Sequence, residues 1–320
     1  MYTEECVVLE TPDPTIELLT GKKYSYAVCV LFKGNITVYA TKLDKLDKES
    51  LFKGWKDMKL PPKIGLNFSA LNTKTYIDLS RRFSVIDVSN KIRDFRRHKT
   101  IEQANCVEKA ARCTDLILQR FCLLPKGTIE SELDARLWIE REIYLRGMEP
   151  AYPVIVASGK NSGIPHHTPT TELNSGPVLI DAGARYKGYC SDMTRMYDNG
   201  MNLDQKKKYA YLLGIQNHTI RMVKKDVPYH ELHNYVVRSL GDDADFFIHS
   251  LGHGVGIEVH ESPRVSKNSN DSVQLGDIFT IEPGLYYPDY GLRIEDTLYY
   301  DGETRVLTNH SKELQPLFKP

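Results

Sequence analysis

The chain has 320 residues, with 42 Lys plus Arg against 42 Asp plus Glu, 41% hydrophobic and 26% charged residues. That length suggests about two domains with a sizeable core, the charge balance lacks the basic bias of a nucleic-acid binder, and the composition argues against wholesale disorder. The six cysteines form no CxxC, the acidic start MYTEECVVLE is no signal peptide, and no run of ~18 apolar residues could span a bilayer, so a cytoplasmic protein with neither nucleic-acid nor membrane partners is expected.

The first ninety or so residues read as a small α/β unit. Residues 24–32 and 35–41 are strands joined by a turn at Lys33-Gly34. The charged run KLDKLDKES is a solvated helix or loop. A short strand follows Pro61-Pro62, and residues 83–89 form another. The texture turns basic at NKIRDFRRHK, which puts a boundary near Asn90 and divides the chain into residues 1–90 and 91–320. The second region opens with a helical stripe over 101–118. Thr128 is placed to cap a second helix over 129–145, with Glu130 and Glu132 in its first turn. Helical patterns return at 204–224 and 229–240, and strand-rich blocks lie at 152–157, 176–197 and 274–300. The order helix pair, strands, helix pair, strands resembles two related halves, though sequence similarity between them does not show a repeat.

Three segments carry chemistry. In GPVLIDAGARYKGYCSDMTRMY an apolar strand runs into Asp181, Lys187-Gly188 permits a turn, and Asp192 lies in the returning strand. A carboxylate at the buried end of such a strand is costly without a partner, and two facing ones invite a divalent cation. A capped strand end plus a surface aspartate is the plainer alternative. FFIHSLGHGVGIEVHESP places His249, His253 and His260 within twelve residues. Its glycines do not suit a helix interior, and close approach of backbone to a ligand is one reason for them. In GDIFTIEPGLYYPDYGLRIEDTLYY, Glu282 ends a strand before Pro283-Gly284, and Arg293 and Glu295 share one face of the returning strand. An Arg293–Glu282 ion pair is the simpler reading of that segment alone. Together, four carboxylates and one imidazole make an oxygen-dominated set suited to two divalent cations about 3.5–4 Å apart. A hydroxide bridging them would be a nucleophile for an amide.

On these residues the sequence resembles the pita-bread metallopeptidases, which include methionine aminopeptidase, aminopeptidase P and prolidase (Xaa-Pro dipeptidase). The segments NSGIPHHTP, LIDAGARYKGYCSDMTR, HSLGHGVGIEVHESP, TIEPG and RIED carry the resemblance, which covers roughly residues 91–320. The first ninety residues are similar in position and texture to the N-terminal domain of the prolidase, aminopeptidase P and creatinase group. The resemblance implies an α/β (α+β) fold, in which a pita-bread catalytic domain with pseudo-two-fold halves follows a small α/β domain. It implies metal ligands at Asp181, Asp192, His253, Glu282 and Glu295, with Asp192 and Glu295 bridging. It also implies catalytic roles for His166, His260 and Glu282, and substrate contacts from His249, His260 and Arg293. His167 competes with its neighbour His166. Two divalent ions per subunit are expected, manganese or cobalt ahead of zinc, in a homodimer. The expected reaction is hydrolysis of Xaa-Pro bonds, with dipeptides preferred over the longer peptides of an aminopeptidase P. A methionine aminopeptidase is disfavoured by the extra domain. Creatinase shares the fold but lacks the ligands, and the non-catalytic interaction modules usually lose some; all five are present here.

Overall fold

The computed structural model describes residues 5–44 and 49–318, and divides into two compact units, Met1–Arg96 and Arg97–Pro320. The middle of the charged run at 42–50 lies outside the described residues.

The first unit is a six-stranded sheet in the order Ser50–Leu51, Asn35–Ala40, Ala27–Phe32, Cys6–Glu10, Lys63–Leu66, Ser84–Asp87. Alternation sorts its side chains onto two faces. Val8, Val28, Ile64 and Leu66 form one apolar cluster, and Val7, Leu9, Cys29 and Leu31 belong to the other. The turn between the central hairpin strands is Lys33-Gly34, with φ of 49° and 79°. Two consecutive left-handed residues give the twist a two-residue hairpin needs. The expected boundary near Asn90 falls inside the helix Ser89–Arg97, whose Ile92 packs in the second cluster, so the unit runs on to Arg96.

The second unit repeats one plan. Helices Ile101–Phe121 and Glu132–Leu145 cover a four-stranded sheet ordered Gln315–Pro316, Thr194–Asn199, Gly176–Asp181, Ile155–Ser158. Ile117, Phe121, Ile139 and Ile143 pack there on Val156, Val178 and Ile180. Helices Leu203–Met222 and Tyr229–Leu240 cover a five-stranded sheet ordered Glu261–Val265, Gly252–Gly254, Ile278–Ile281, Asp296–Tyr300, Thr304–Val306. Leu212, Ile215, Leu232 and Val236 pack there with Phe279, Ile281 and Leu298. Thr128 does not cap the second helix. That helix starts four residues later, where the Ser131 hydroxyl accepts the Asp134 N–H at 3.0 Å, and Ile129 is already buried ahead of it.

The two sheets are joined by a buried charged network. Arg195 donates to the carbonyls of Thr194 (3.0 Å) and Glu295 (2.5 Å), and pairs with Asp296 at 2.7 Å. Asp296 also takes hydrogen bonds from Gln216, Thr308 and Lys312. Arg195 Nε reaches the carbonyl of His310, whose ring lies 3.1 Å from the Tyr197 hydroxyl. Burial, aided by the Arg195 charge, pushes the His310 imidazole down to about 4. An unfolded histidine takes its proton near pH ~6.5, so between these values the unfolded state binds more protons. The stability present above the unfolded value is therefore lost as pH falls toward 4. Melting temperature is expected to drop between pH 7 and pH 4.5, and His310→Gln to shrink that drop; an equal drop in both proteins would refute the assignment.

Candidate active site

The first acid pair is built on one hairpin. The buried strand Gly176–Asp181 ends on Asp181, which faces Thr194 across the pair. Between them the chain turns at Lys187-Gly188, again with two positive φ angles of 49° and 87°. Gly183 lets the two arms close up, since a Cβ there would lie 2.0 Å from the Ser191 carbonyl oxygen. Asp192 then sits two residues before the strand Thr194–Asn199. The hydroxyl of Tyr152 bridges the pair. It hydrogen-bonds Asp181 Oδ1 at 2.5 Å and also Asp192 Oδ1.

The second pair occupies equivalent places. Glu282 follows the strand Ile278–Ile281, and Glu295 precedes Asp296–Tyr300. The Glu295 N–H donates to the Thr194 carbonyl at 3.3 Å, and the Thr297 hydroxyl to the Asp192 carbonyl at 2.7 Å, so the hairpins meet at their acid-bearing ends. His253 comes from the short strand Gly252–Gly254. A Cβ on Gly252 would lie 2.0 Å from the Thr280 carbonyl oxygen. This glycine therefore serves close strand packing rather than approach to a ligand.

These strands bring one ligand atom each from Asp192, His253 and Glu295 within 4.8 Å of one another. Glu282 joins through His253 Nε2, 3.3 Å from its Oε1, and Asp192 Oδ2 lies 3.6 Å from the same nitrogen. Asp181 joins through the shared Tyr152 hydroxyl. Burial and the neighbouring Asp181 push Asp192 well above the usual carboxylate range; burial, Asp192 and Glu282 do the same to Glu295. Burial opposes charge on Glu282 and His253 as well, but their mutual hydrogen bond overrides it, taking Glu282 down to about 2 and His253 up to about 9. A set of acids that holds protons against its own repulsion is one that a divalent cation fits. Asp192, His253 and Glu295 thus form a candidate metal-binding triad.

Arg293 does not pair with Glu282. Its guanidinium donates to Asp181 Oδ2 (2.6 Å), the Thr194 hydroxyl (3.0 Å), the Tyr286 hydroxyl (2.9 Å) and the Pro165 carbonyl (3.1 Å). The Thr194 hydroxyl in turn donates a hydrogen bond to Glu295 Oε2 at 2.8 Å. His249 lies 3.0 Å from the Tyr286 hydroxyl, and the His260 ring meets His253 edge-on at 4.2 Å. Burial lowers both His249 and His260. His167 is engaged by the buried Glu132 at 2.8 Å, whereas His166 is exposed. Tyr152, Thr194 and Tyr286 escape the sequence reading as site residues. Tyr152 stands 29 positions before Asp181, outside every motif, and only the fold delivers it. A cleft of about 450 Å³ beside Tyr286 is lined by Ile164, Phe246, Tyr287, Pro288 and Lys160.

Comparison with known proteins agrees with this geometry. The sequence profile described as metallopeptidase family M24 matches residues 105–301. A Methanocaldococcus jannaschii protein named as an uncharacterized peptidase is 31% identical over 88% of this chain and 84% of its own length. The Xaa-Pro dipeptidase of Pyrococcus furiosus is 36% identical over 73% of this chain and 69% of its own. The crystal structure of the prolidase from Pyrococcus horikoshii OT3 superposes with a TM-score of 0.89 at 28% identity, covering 97% of this chain and 95% of that one. The fold is thus that of the pita-bread peptidases with their smaller N-terminal domain, and the chain belongs to metallopeptidase family M24.

Proposed function

We propose that this enzyme hydrolyses Xaa-Pro peptide bonds, with dipeptides as its main substrates. The observation that carries the reading is the set of four carboxylates at equivalent ends of two hairpins, joined by the His253 imidazole from the short strand Gly252–Gly254. The Xaa-Pro dipeptidase at 36% identity supports the substrate class. Proline makes a tertiary amide that lacks an N–H, so a site for it needs its own geometry.

Asp181, Asp192, His253, Glu282 and Glu295 would hold two divalent cations, manganese or cobalt in preference to zinc. Bound there, these would polarise the scissile carbonyl and acidify the attacking water. The acidic pocket attracts the substrate's free ammonium end. Glu282 accepts the proton of the attacking water and delivers it to the proline nitrogen as the C–N bond breaks. His260 and His166 hydrogen-bond the substrate carbonyl and backbone, and His249 lines the pocket with Tyr286. Arg293, with four of its donors engaged, contributes by fixing Asp181 and Tyr286. The cleft beyond Tyr286 favours a second reading, an Xaa-Pro aminopeptidase acting on longer peptides. Six unpaired thiols suit a cytoplasmic location, and a homodimer completes the reading.

Metal-free protein resupplied with manganese, cobalt or zinc should cleave Ala-Pro and Met-Pro faster than Ala-Pro-Phe. A faster tripeptide rate would favour the aminopeptidase, and no proline-peptide cleavage with any metal would reject both. Asp192→Ala and Glu295→Ala should lose bound metal and activity together; full metal content in either would refute the ligand set. Tyr152→Phe removes only the hydroxyl shared by the two aspartates. Outer-shell changes of this kind cost about 10–100-fold in metal affinity or rate, so kcat/KM should fall within that range, and an unchanged value would make the Tyr152 bridge incidental.

A further inference from the structure

His260 stands exposed at the mouth of the site, in a loop that must hold its ring against His253. The next residue, Glu261, turns inward. Its Oε1 lies 2.6 Å from Lys99 Nζ, and the two side chains are only 6% and 1% exposed. A dry ion pair loses much of its Coulomb gain to desolvation, so stability alone is a poor reason for it. Its surroundings suggest another. The Glu261 carboxylate fills the inside of the loop, since a Cβ on Gly256 would lie 2.3 Å from its Oε1. Gly256 accepts the Cys190 N–H at 2.7 Å, which ties the loop to the hairpin of Asp192. Lys99 donates its own backbone N–H to the Gly276 carbonyl at 2.9 Å, two residues before the strand Ile278–Ile281 that leads to Glu282. One lysine, through its ammonium on Glu261 and its backbone N–H on Gly276, thus anchors the His260 loop to the segment that leads to a carboxylate of the site.

We propose that the Lys99–Glu261 pair is a positioning device that fixes the His260 imidazole over the reacting carbonyl. This rests on the reading above that His260 touches the substrate. Lys99 itself touches neither substrate nor metal ligands, and acts only through the loop. If so, its effect must vanish when there is no imidazole to position.

The test is a double-mutant cycle on the metal-loaded full chain with Ala-Pro, using Lys99→Met, His260→Ala and the combination. Lys99→Met should lower kcat about tenfold while KM and metal content stay within about twofold of the parent. Lys99→Arg should restore most of the rate. In the His260→Ala background, Lys99→Met should cost less than about twofold. The same factor in both backgrounds would overturn the proposal and leave Lys99 a general structural residue. Should Lys99→Met not fold, Glu261→Gln breaks the pair at constant size and is judged by the same cycle. A His260→Ala enzyme with the full rate would instead remove His260 from the hydrolysis, and the positioning role with it.

Discussion

Crowding of negative charge in a small buried volume is the constraint on which this structure depends. Asp181, Asp192 and Glu295 are at most 9% exposed, and Glu282 and His253 lie beside them. Left to themselves, such carboxylates repel one another and lose their hydration. Three neighbouring polar side chains act against that repulsion. The Tyr152 hydroxyl sits between two aspartates, the Arg293 guanidinium lies on Asp181, and the Thr194 hydroxyl relays from Arg293 to Glu295. These contacts hold the oxygens in place, with one ligand atom each of Asp192, His253 and Glu295 within 4.8 Å of the others. A site of this kind exchanges protons for cations, which is the starting condition for metal-assisted hydrolysis.

The fold meets the constraint by using one solution twice. In each half of the second unit a strand runs out of a helix-covered core and ends at an acid, and a return strand begins just after a second acid. The core gives each strand its rigidity, since Ile180 and Ile281 are fully buried immediately before Asp181 and Glu282. The halves then meet where the acids are. Arg195 grips the carbonyls of both Thr194 and Glu295, and its charge is balanced by the buried carboxylate of Asp296.

Much of this is legible in the sequence because it is local. An apolar run places Asp181 at one strand end and alternation places Glu282 at another, Pro-Gly marks where the second strand stops, Lys-Gly marks the turn of the first hairpin, and helix periodicity finds the long helices within a few residues. The helix Tyr229–Leu240 is matched at both ends. What the sequence hides is non-local. Thr128 reads as the cap from its local sequence, yet Ile129 is drawn into the core ahead of the helix and the Ser131 hydroxyl caps it instead. Tyr152 lies in no motif, and its role exists only once Asp181 and Asp192 are brought to its hydroxyl. Arg293 could be assigned to Glu282 by proximity in sequence, yet the meeting of the hairpins hands it to Asp181, 112 positions away. The glycines around His253 looked suited to a ligand, and backbone packing accounts for Gly252 instead.

The pairing of acids on two hairpins also bears on the unfolded chain. Thr194 and Glu295, which touch in the folded site, are 101 positions apart in sequence. A cation held between the hairpins is therefore a clip across a loop of that length. Clips on long loops remove the most freedom from a disordered chain. The same ion that serves the reaction would thus act as a removable cross-link, and a chelator would take away chain confinement along with catalysis.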